Sequence, residues 1–586
     1  MRSSFLFLAL LSMGLLHAQK KAMPFGTSKQ RTLADCTPPT SSAELNVNNV
    51  RATILSGGDM WWDLQGSAKY EIPKGSGKNA FFLAAFWMGG VDKGGNLHMA
   101  AQTYRQNGER DFSTGPLSSA ATIDPAECKK YDKVYSITQT DITAFIKNGK
   151  LTPDIVNWPA HGDPSKGEAK YLAPFRDVDG DGLYDPAKGD YPTFVNRNPP
   201  CKIVTKDEQM LWWVFNDAGS FHHYSQADQI GLEVQATAFA FSSEGPLNNT
   251  TFYNFKFINR GAYQLDSTYL GLNIDPDLGY AFDDYIGCDV GRSLGYCYNG
   301  VENDIGALGY GHTPPAVGID FFEGPRADAN DKLDNNHNNV VDEAFETIGL
   351  TKFVYYNNDA SVQGNPTNGT GCYRYLQGKW KDGKAMTYGG NGRNVGSGAT
   401  NLPCNYMFPS KTDSSFSTPW TEESAGNAPG DRRFLMSAGA FTMKPGAVNY
   451  FTYSVVWARA DSSKGASAKA SLDSLIKADD IIQTIFDECF KVIYTSDVSS
   501  LKSSKELSIQ AFPNPFSQKT HLNFSENFTG VIEMYDIYGK RVLRKTLVGT
   551  ELEIERENLA SGIYFYKASG RANGILTNTS GKLVIQ

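Results

Sequence analysis

Apolar and polar positions alternate at period two through most of this chain, the spacing of half-buried strands. Asn48 to Ile54 opens the pattern and leads through Gly57-Gly58 to Met60-Trp61-Trp62-Asp63-Leu64. Phe81 to Met88 is a near-continuous apolar run, as a strand buried on both faces would be, and it ends at Gly89-Gly90. Leu97 to Tyr104 follows across Lys93-Gly94-Gly95-Asn96, which predicts a hairpin. Lys206 to Phe215, Gly231 to Phe241, Phe252 to Ile258, Tyr269 to Ile274, Asp431 to Met436 and Asn449 to Ala458 extend the strand character. Two stretches carry the helical period. Residues 136–147 place Ile137, Ile142, Phe145 and Ile146 on one stripe, with Ser136 or Thr138 to cap it. Ser467 to Lys491 is clearer, with Leu472, Leu475, Ile476, Ile482, Ile485, Phe486 and Cys489 at helical spacing. Residues 358–430 are rich in Gly, Asn, Ser and Thr and predict long surface loops.

The last stretch, Leu507 to Gln586, differs from the rest. It opens with Phe512-Pro513-Asn514-Pro515-Phe516 and closes with Gly581 to Gln586. Leu552-Glu553-Ile554 and Ile563 to Tyr566 alternate clearly, and Gly539 and Gly562 fall where tight turns are needed. A small β-sandwich is predicted. This stretch resembles the C-terminal sorting domain of type IX secretion cargo of Bacteroidetes-type bacteria. The residues that carry the resemblance are the Pro-Asn-Pro opening, Met534 to Lys540, Leu559 to Tyr564 and the Lys-Leu-Val-Ile terminus. The resemblance implies a secreted or cell-surface protein that the type IX translocon recognises through this domain. It also implies removal of the domain near the linker, followed by release or attachment to surface lipopolysaccharide. The other end agrees: Arg2, an apolar run from Phe5 to Leu16, and Ala18 before a cut have the layout of a secretory signal peptide. The expected organisation is a signal peptide at 1–18, a polar lead at 19–46, and a mostly-β passenger region at 47–495. A serine-rich linker at 496–506 and the sorting domain at 507–586 complete it. The middle, from about Asn48 to Val492, is also similar to a group of secreted proteins of the same bacteria, a resemblance that carries no activity with it.

Composition sharpens this. The chain has 586 residues, 20% charged and 40% hydrophobic, which is globular and long enough for several domains. Aromatics at 12% and 57 glycines suit many strands joined by tight turns. The net charge of −8 argues against nucleic acid, which is bound through a basic surface. Eight cysteines in a secreted chain permit disulfides, and no Cys-x-x-Cys pair suggests a zinc or redox site. Cys288 and Cys297 are nearest in sequence and predict a stapled hairpin. The fold class is therefore mainly β, with a few helices and a small C-terminal β domain.

Acidic side chains gather where chemistry is most legible. Asp177, Asp179, Asp181 and Asp185 stand at positions 1, 3, 5 and 9 of one loop, with the Leu183 carbonyl at 7 and Gly182 at 6. Calcium takes six to eight oxygens and is supplied at this spacing. The loop resembles the Asp-x-Asp-x-Asp-Gly loops of thrombospondin-type-3 and dockerin-like modules. It departs from an EF-hand because Lys188 stands at position 12, where a bidentate Glu belongs; Asp190 is the substitute nearby. Asp334, Asn336, Asn338, Val340 and Asp342 repeat the geometry with fewer charges. Asp275, Asp277, Asp283, Asp284 and Asp289 form a third acidic group without a fixed loop spacing. Trp61-Trp62 and Trp212-Trp213 offer either sugar-stacking platforms or core packing, and large aromatics favour the core. Metalloprotease, nucleophile-elbow and phosphate-loop signatures are absent from the sequence. His222-His223 would point to opposite faces of a strand and make no chelating pair. Two functions remain. One is a calcium-stabilised structural, adhesive or ligand-binding surface protein with an extracellular ligand still to be found. The other is an extracellular hydrolase of polysaccharide or protein, its carboxylates drawn from distant strands.

Overall fold

The computed structural model describes residues 35–586, apart from 106–107, 194–207, 337–339, 343–345, 462–466, 491–507, 537–539, 558 and 573–574. The expected signal peptide and the serine-rich linker lie outside the described residues. The chain divides into two compact units, Met1–Tyr494 and Thr495–Gln586. Among the described residues no helix is long and apolar enough to cross a membrane.

The larger unit is built on two nine-stranded antiparallel sheets. The first runs Ser42–Leu45, Arg51–Leu55, Asp59–Met60, Leu83–Val91, Leu265–Asp275, Arg432–Met443, Lys352–Asn357. Its first strand lies inside the expected polar lead. The second sheet is centred on Val448–Ala458, Thr250–Asn259, Leu232–Phe241 and Glu208–Asn216, in that order. Rings from the two sheets meet in one core. Phe86 packs edge-on against Phe255 at 5.7 Å, and the Trp61 indole N–H donates to the Tyr253 hydroxyl at 3.0 Å. Trp61, Trp62 and Trp87 are fully buried, so the tryptophans fill the core and form no platform.

The second sheet is covered on its other face as well. Phe239, Phe241 and Phe252 point away from the first sheet into a separate core under the helix Ala468–Asp487. Leu475, Ile482, Ile485 and Phe486 are the buried stripe of that helix, and Ser467 caps it, as the sequence pattern predicts. Burial on both faces accounts for Leu232–Phe241 being buried at every position. The predicted helix at 136–147 begins three residues later, as Gln139–Asn148. Thr138 and Asp141 form a reciprocal capping box there, and Tyr135–Thr138 is a strand paired with Glu208–Asn216.

Two expectations fail here. Residues 358–430 contain little regular structure, but they are not a surface layer. Tyr375, Trp380, Met407 and Trp420 are buried, with both indoles donating to loop carbonyls, of Gly392 and Gly390. Composition hides this because the buried aromatics are spread among many Gly, Asn, Ser and Thr residues. The stapled hairpin is also absent: Cys288 and Cys297 are free and buried. Their strands do pair, but Cys288 faces Gly295 and Cys297 faces Ile286, so the sulfurs are not opposed. Cys36 is instead bonded to Cys128, 92 residues away.

The C-terminal unit is one five-stranded antiparallel sheet, with Lys519–Tyr535 and Arg541–Glu555 its longest strands. Phe516, Leu522, Phe528, Ile532, Tyr564, Leu583 and Ile585 are among the side chains of its own core. The opening motif and the terminus meet. The Asn514 side chain donates to Lys582 O at 2.9 Å and accepts from Val584 N–H at 2.8 Å.

Candidate metal centre

The loop 177–190 owes its shape to two glycines and one buried acid. Gly180 and Gly182 hold φ values of 77° and 74°, the left-handed region that glycine adopts freely. Asp190 is fully buried and accepts from Val178 N–H at 2.7 Å and Asp185 N–H at 2.9 Å, closing the loop at its neck. Asp177 accepts from Gly180 and Gly182 N–H at 2.7 and 2.8 Å. Asp181 accepts from Leu183 N–H at 2.8 Å. The result brings one oxygen each of Asp177, Asp179 and Asp181 within 4.8 Å of one another.

Three of the predicted ligands therefore converge, and two call for comment. Asp185 lies outside this group; its carboxylate caps a short turn by accepting from Ala187 N–H at 2.9 Å. Leu183 O accepts no hydrogen bond among the described residues and is open to a ligand. Asp190 serves the loop backbone and is not part of the three-carboxylate group. Lys188 pairs with Asp181 and lies 3.4 Å from Asp179. Its hydrogen bond is the main reason the Asp181 carboxyl sits below its usual range. The ammonium thus neutralises the group from the side where an EF-hand would place its bidentate acid. Its side chain is 49% exposed. Hard carboxylate oxygens at this spacing are donors of the kind a divalent cation takes.

The second loop is less complete. Asp342 has φ 58° and accepts from Lys332 N–H at 3.2 Å, while the Asn335 side chain donates to Asp331 at 2.9 Å. Asp334, Asn336 and Val340 lie in the same loop, and Asn338 lies outside the described residues. The third acidic group does not hold together. Asp283 accepts from the Asn299 side chain at 2.6 Å, and burial pushes its carboxyl up to about 7. Asp284 accepts from Leu278 N–H at 3.1 Å, and Asp289 pairs with Arg292 at 2.8 Å. Asp284–Asp289 is a strand of the second sheet. Asp275 and Asp277 meet Asp431 instead.

Sequence spacing missed a further polar centre. The buried His222 ring faces Met99 O at 2.9 Å with Nδ1 and Asp217 O at 2.7 Å with Nε2. Two carbonyl acceptors require both nitrogens to be protonated. Asp111 and Asp217 carboxylates, each 3.7 Å away, balance that charge. His222 and His223 lie at a turn rather than on a strand, with His222 buried and His223 exposed.

With this geometry in place, comparison with known proteins is informative at one end of the chain. Residues 510–586 match the family described as the secretion system C-terminal sorting domain. The chain is thus cargo of the type IX route, delivered to the outer cell surface or secreted. No curated protein matches the chain. Among solved structures, a polysaccharide lyase is similar over 61% of this chain at 10% identity and a TM-score of 0.16. The match spans 34% of the lyase, about a third of its length. The CBM51-2 and INT domains of Clostridium perfringens ZmpB are similar over 60% of this chain and 89% of theirs, at 10% identity and a TM-score of 0.12. The BSP domain of a biofilm associated protein covers 96% of this chain and 84% of its own, at 8% identity and a TM-score of 0.13. Likenesses at these scores carry no argument about fold or activity.

Proposed function

We propose that this cargo protein is a calcium-stabilised β scaffold that acts outside the cell by adhesion or ligand binding rather than by catalysis. The observation that carries the reading is the convergence of Asp177, Asp179 and Asp181 within 4.8 Å on a loop shaped by two left-handed glycines. Calcium would be held by those carboxylates and the Leu183 carbonyl, displacing Lys188. Its role would be structural: it removes the repulsion among the carboxylates and fixes a loop too polar to pack by itself.

For a ligand, the larger unit offers a cleft of about 760 Å³ beside the first sheet. Glu44, Arg51, Asp63, Lys69 and Glu71 line it, so both signs of charge face a guest. Such a wall suits a polar polymer with hydroxyl and charged groups better than an apolar one. The test is a glycan array and a parallel hydrolase screen on the purified mature protein in 1 mM calcium. The reading expects retained binding without product. Release of sugar or peptide fragments would replace it with the hydrolase.

A further inference from the structure

We infer that Asp275, Asp277 and Asp431 form a second, internal site for a hard divalent cation, at the edge of the polar cleft and independent of the 177–185 loop. Asp275 and Asp277 are two residues apart, and Asp431, more than 150 residues on, meets them at the end of neighbouring strands of the first sheet. The strand Leu265–Asp275 runs antiparallel to Arg432–Met443, with Ile274 opposite Phe434. Continuing that register sets Asp275 across from Arg433 and Asp277 across from Asp431. Pro276 has no N–H to extend the ladder, so the chains leave the sheet here with their side chains gathered. One oxygen of each carboxylate lies within 4.8 Å of the other two.

The contacts around the cluster leave a specific vacancy in bonding. Asp275 Oδ2 accepts from the Tyr104 hydroxyl and from Arg433 at 3.0 Å. Asp431 accepts from Arg433 at 2.5 Å through Oδ1 and from the Asn358 side chain at 3.1 Å through Oδ2. Asp275 is 2% exposed, yet its Oδ1 is buried and accepts nothing. Asp277 accepts no hydrogen bond among the described residues, and it lines the cleft beside Asn79 and Phe82. With all three carboxylates ionised, the guanidinium of Arg433, which bonds Asp275 and Asp431, leaves a net charge of −2 (three minus one) on the group. Buried acids are rarely left without partners, because an unpaired buried charge strongly destabilises the fold. A divalent ion bound by oxygens answers the charge count and the orphaned Asp275 oxygen together. Its access route is the cleft that Asp277 borders, so a bound ion would sit where an anionic or hydroxyl-bearing ligand could complete its coordination.

The experiment is calorimetric titration of the mature protein with calcium chloride, and separately with magnesium chloride. Asp181→Ala provides a background in which the 177–185 loop is disabled. We expect that background to take up at least one of the two ions, and Asp277→Asn added to it to remove one equivalent. Circular dichroism establishes that each variant is folded; if Asp277→Asn is not, Asp431→Asn is judged by the same rule. Uptake of neither ion by the Asp181→Ala protein overturns the inference, because protons alone then satisfy the cluster. An unchanged isotherm on adding the folded Asp277→Asn or Asp431→Asn change overturns it as well. Failure of the proposed calcium loop would look different: wild type and Asp181→Ala would take up the same number of ions.

Discussion

His222 shows how one side chain couples this fold to pH. Its two nitrogens are both committed to carbonyls, and Asp111 and Asp217 flank it. The aspartates, together with the two carbonyls, raise its pKa against the opposing effect of burial. A histidine with a raised folded-state pKa stabilises fully below its unfolded value of about 6.5, and that stability is lost as pH rises through the folded value. His222→Gln keeps one donor but removes the charge between two buried acids. It should cost about 3–5 kcal/mol at pH 6. Urea melts at pH 6 check the cost, and wild-type melts between pH 5.5 and 8.5 check the sign: wild-type stability should fall as pH rises. A wild-type stability that holds level over that range would mean that the ring is neutral. Nothing in the His222-His223 spacing could have revealed this centre, because its partners Met99 and Asp111 lie more than a hundred residues away in sequence.

At the scale of elements, the helix Ala468–Asp487 rests on a strand through two acids. Asp479 on the helix and Asp320 on Ala316–Glu323 are each 1% exposed. Burial is the first cause raising both above the carboxylate range, with acidic neighbours adding to it. Raised carboxyls favour the folded state while protonated, so stability is present below about pH 4 and falls as pH climbs toward and past neutrality. Asp479→Asn imitates the protonated acid. Its melting temperature should therefore fall less than that of wild type between pH 5 and 8.5, and a larger fall would contradict the placement. This helix was legible in the sequence because its apolar stripe and Ser467 cap are local signals. The strands were legible for the same reason. Pairings across long separations were not. Cys36 with Cys128, and Asp277 beside Asp431, depend on strand order, which period-two alternation does not encode. Tyr375 and Trp380 were not legible because local composition around them is that of a loop, while Tyr375 lies on a short helix, Gly369–Leu376, that packs across the first sheet.

The whole molecule joins a passenger to an address. In the C-terminal unit, Leu583 and Ile585 are core residues, and Asn514 ties the opening motif to Lys582 and Val584. Deleting Lys582–Gln586 should therefore abolish extracellular protein, as read by immunoblot of culture medium and cell surface. Asn514→Ala should reduce export without abolishing it, since it removes two hydrogen bonds worth about 1 kcal/mol each and no core side chain. On the reading proposed above, the passenger's stability draws on calcium held in the 177–185 loop. An ion that binds only the folded state stabilises it by mass action, about 2.7 kcal/mol at a hundredfold excess over its dissociation constant. Extracellular calcium modules bind at about 10⁻⁴–10⁻³ M, so the loop would fill outside the cell. Magnesium keeps its water and should substitute poorly in this loop. The most direct measurement is the thermal melt of mature wild type and Asp181→Ala in calcium and in chelator. The account predicts that chelator lowers the wild-type melting temperature, and that Asp181→Ala in calcium already melts lower and loses less on chelation. A wild-type melt that chelator leaves unmoved, with the variant melting at the same temperature, would contradict it.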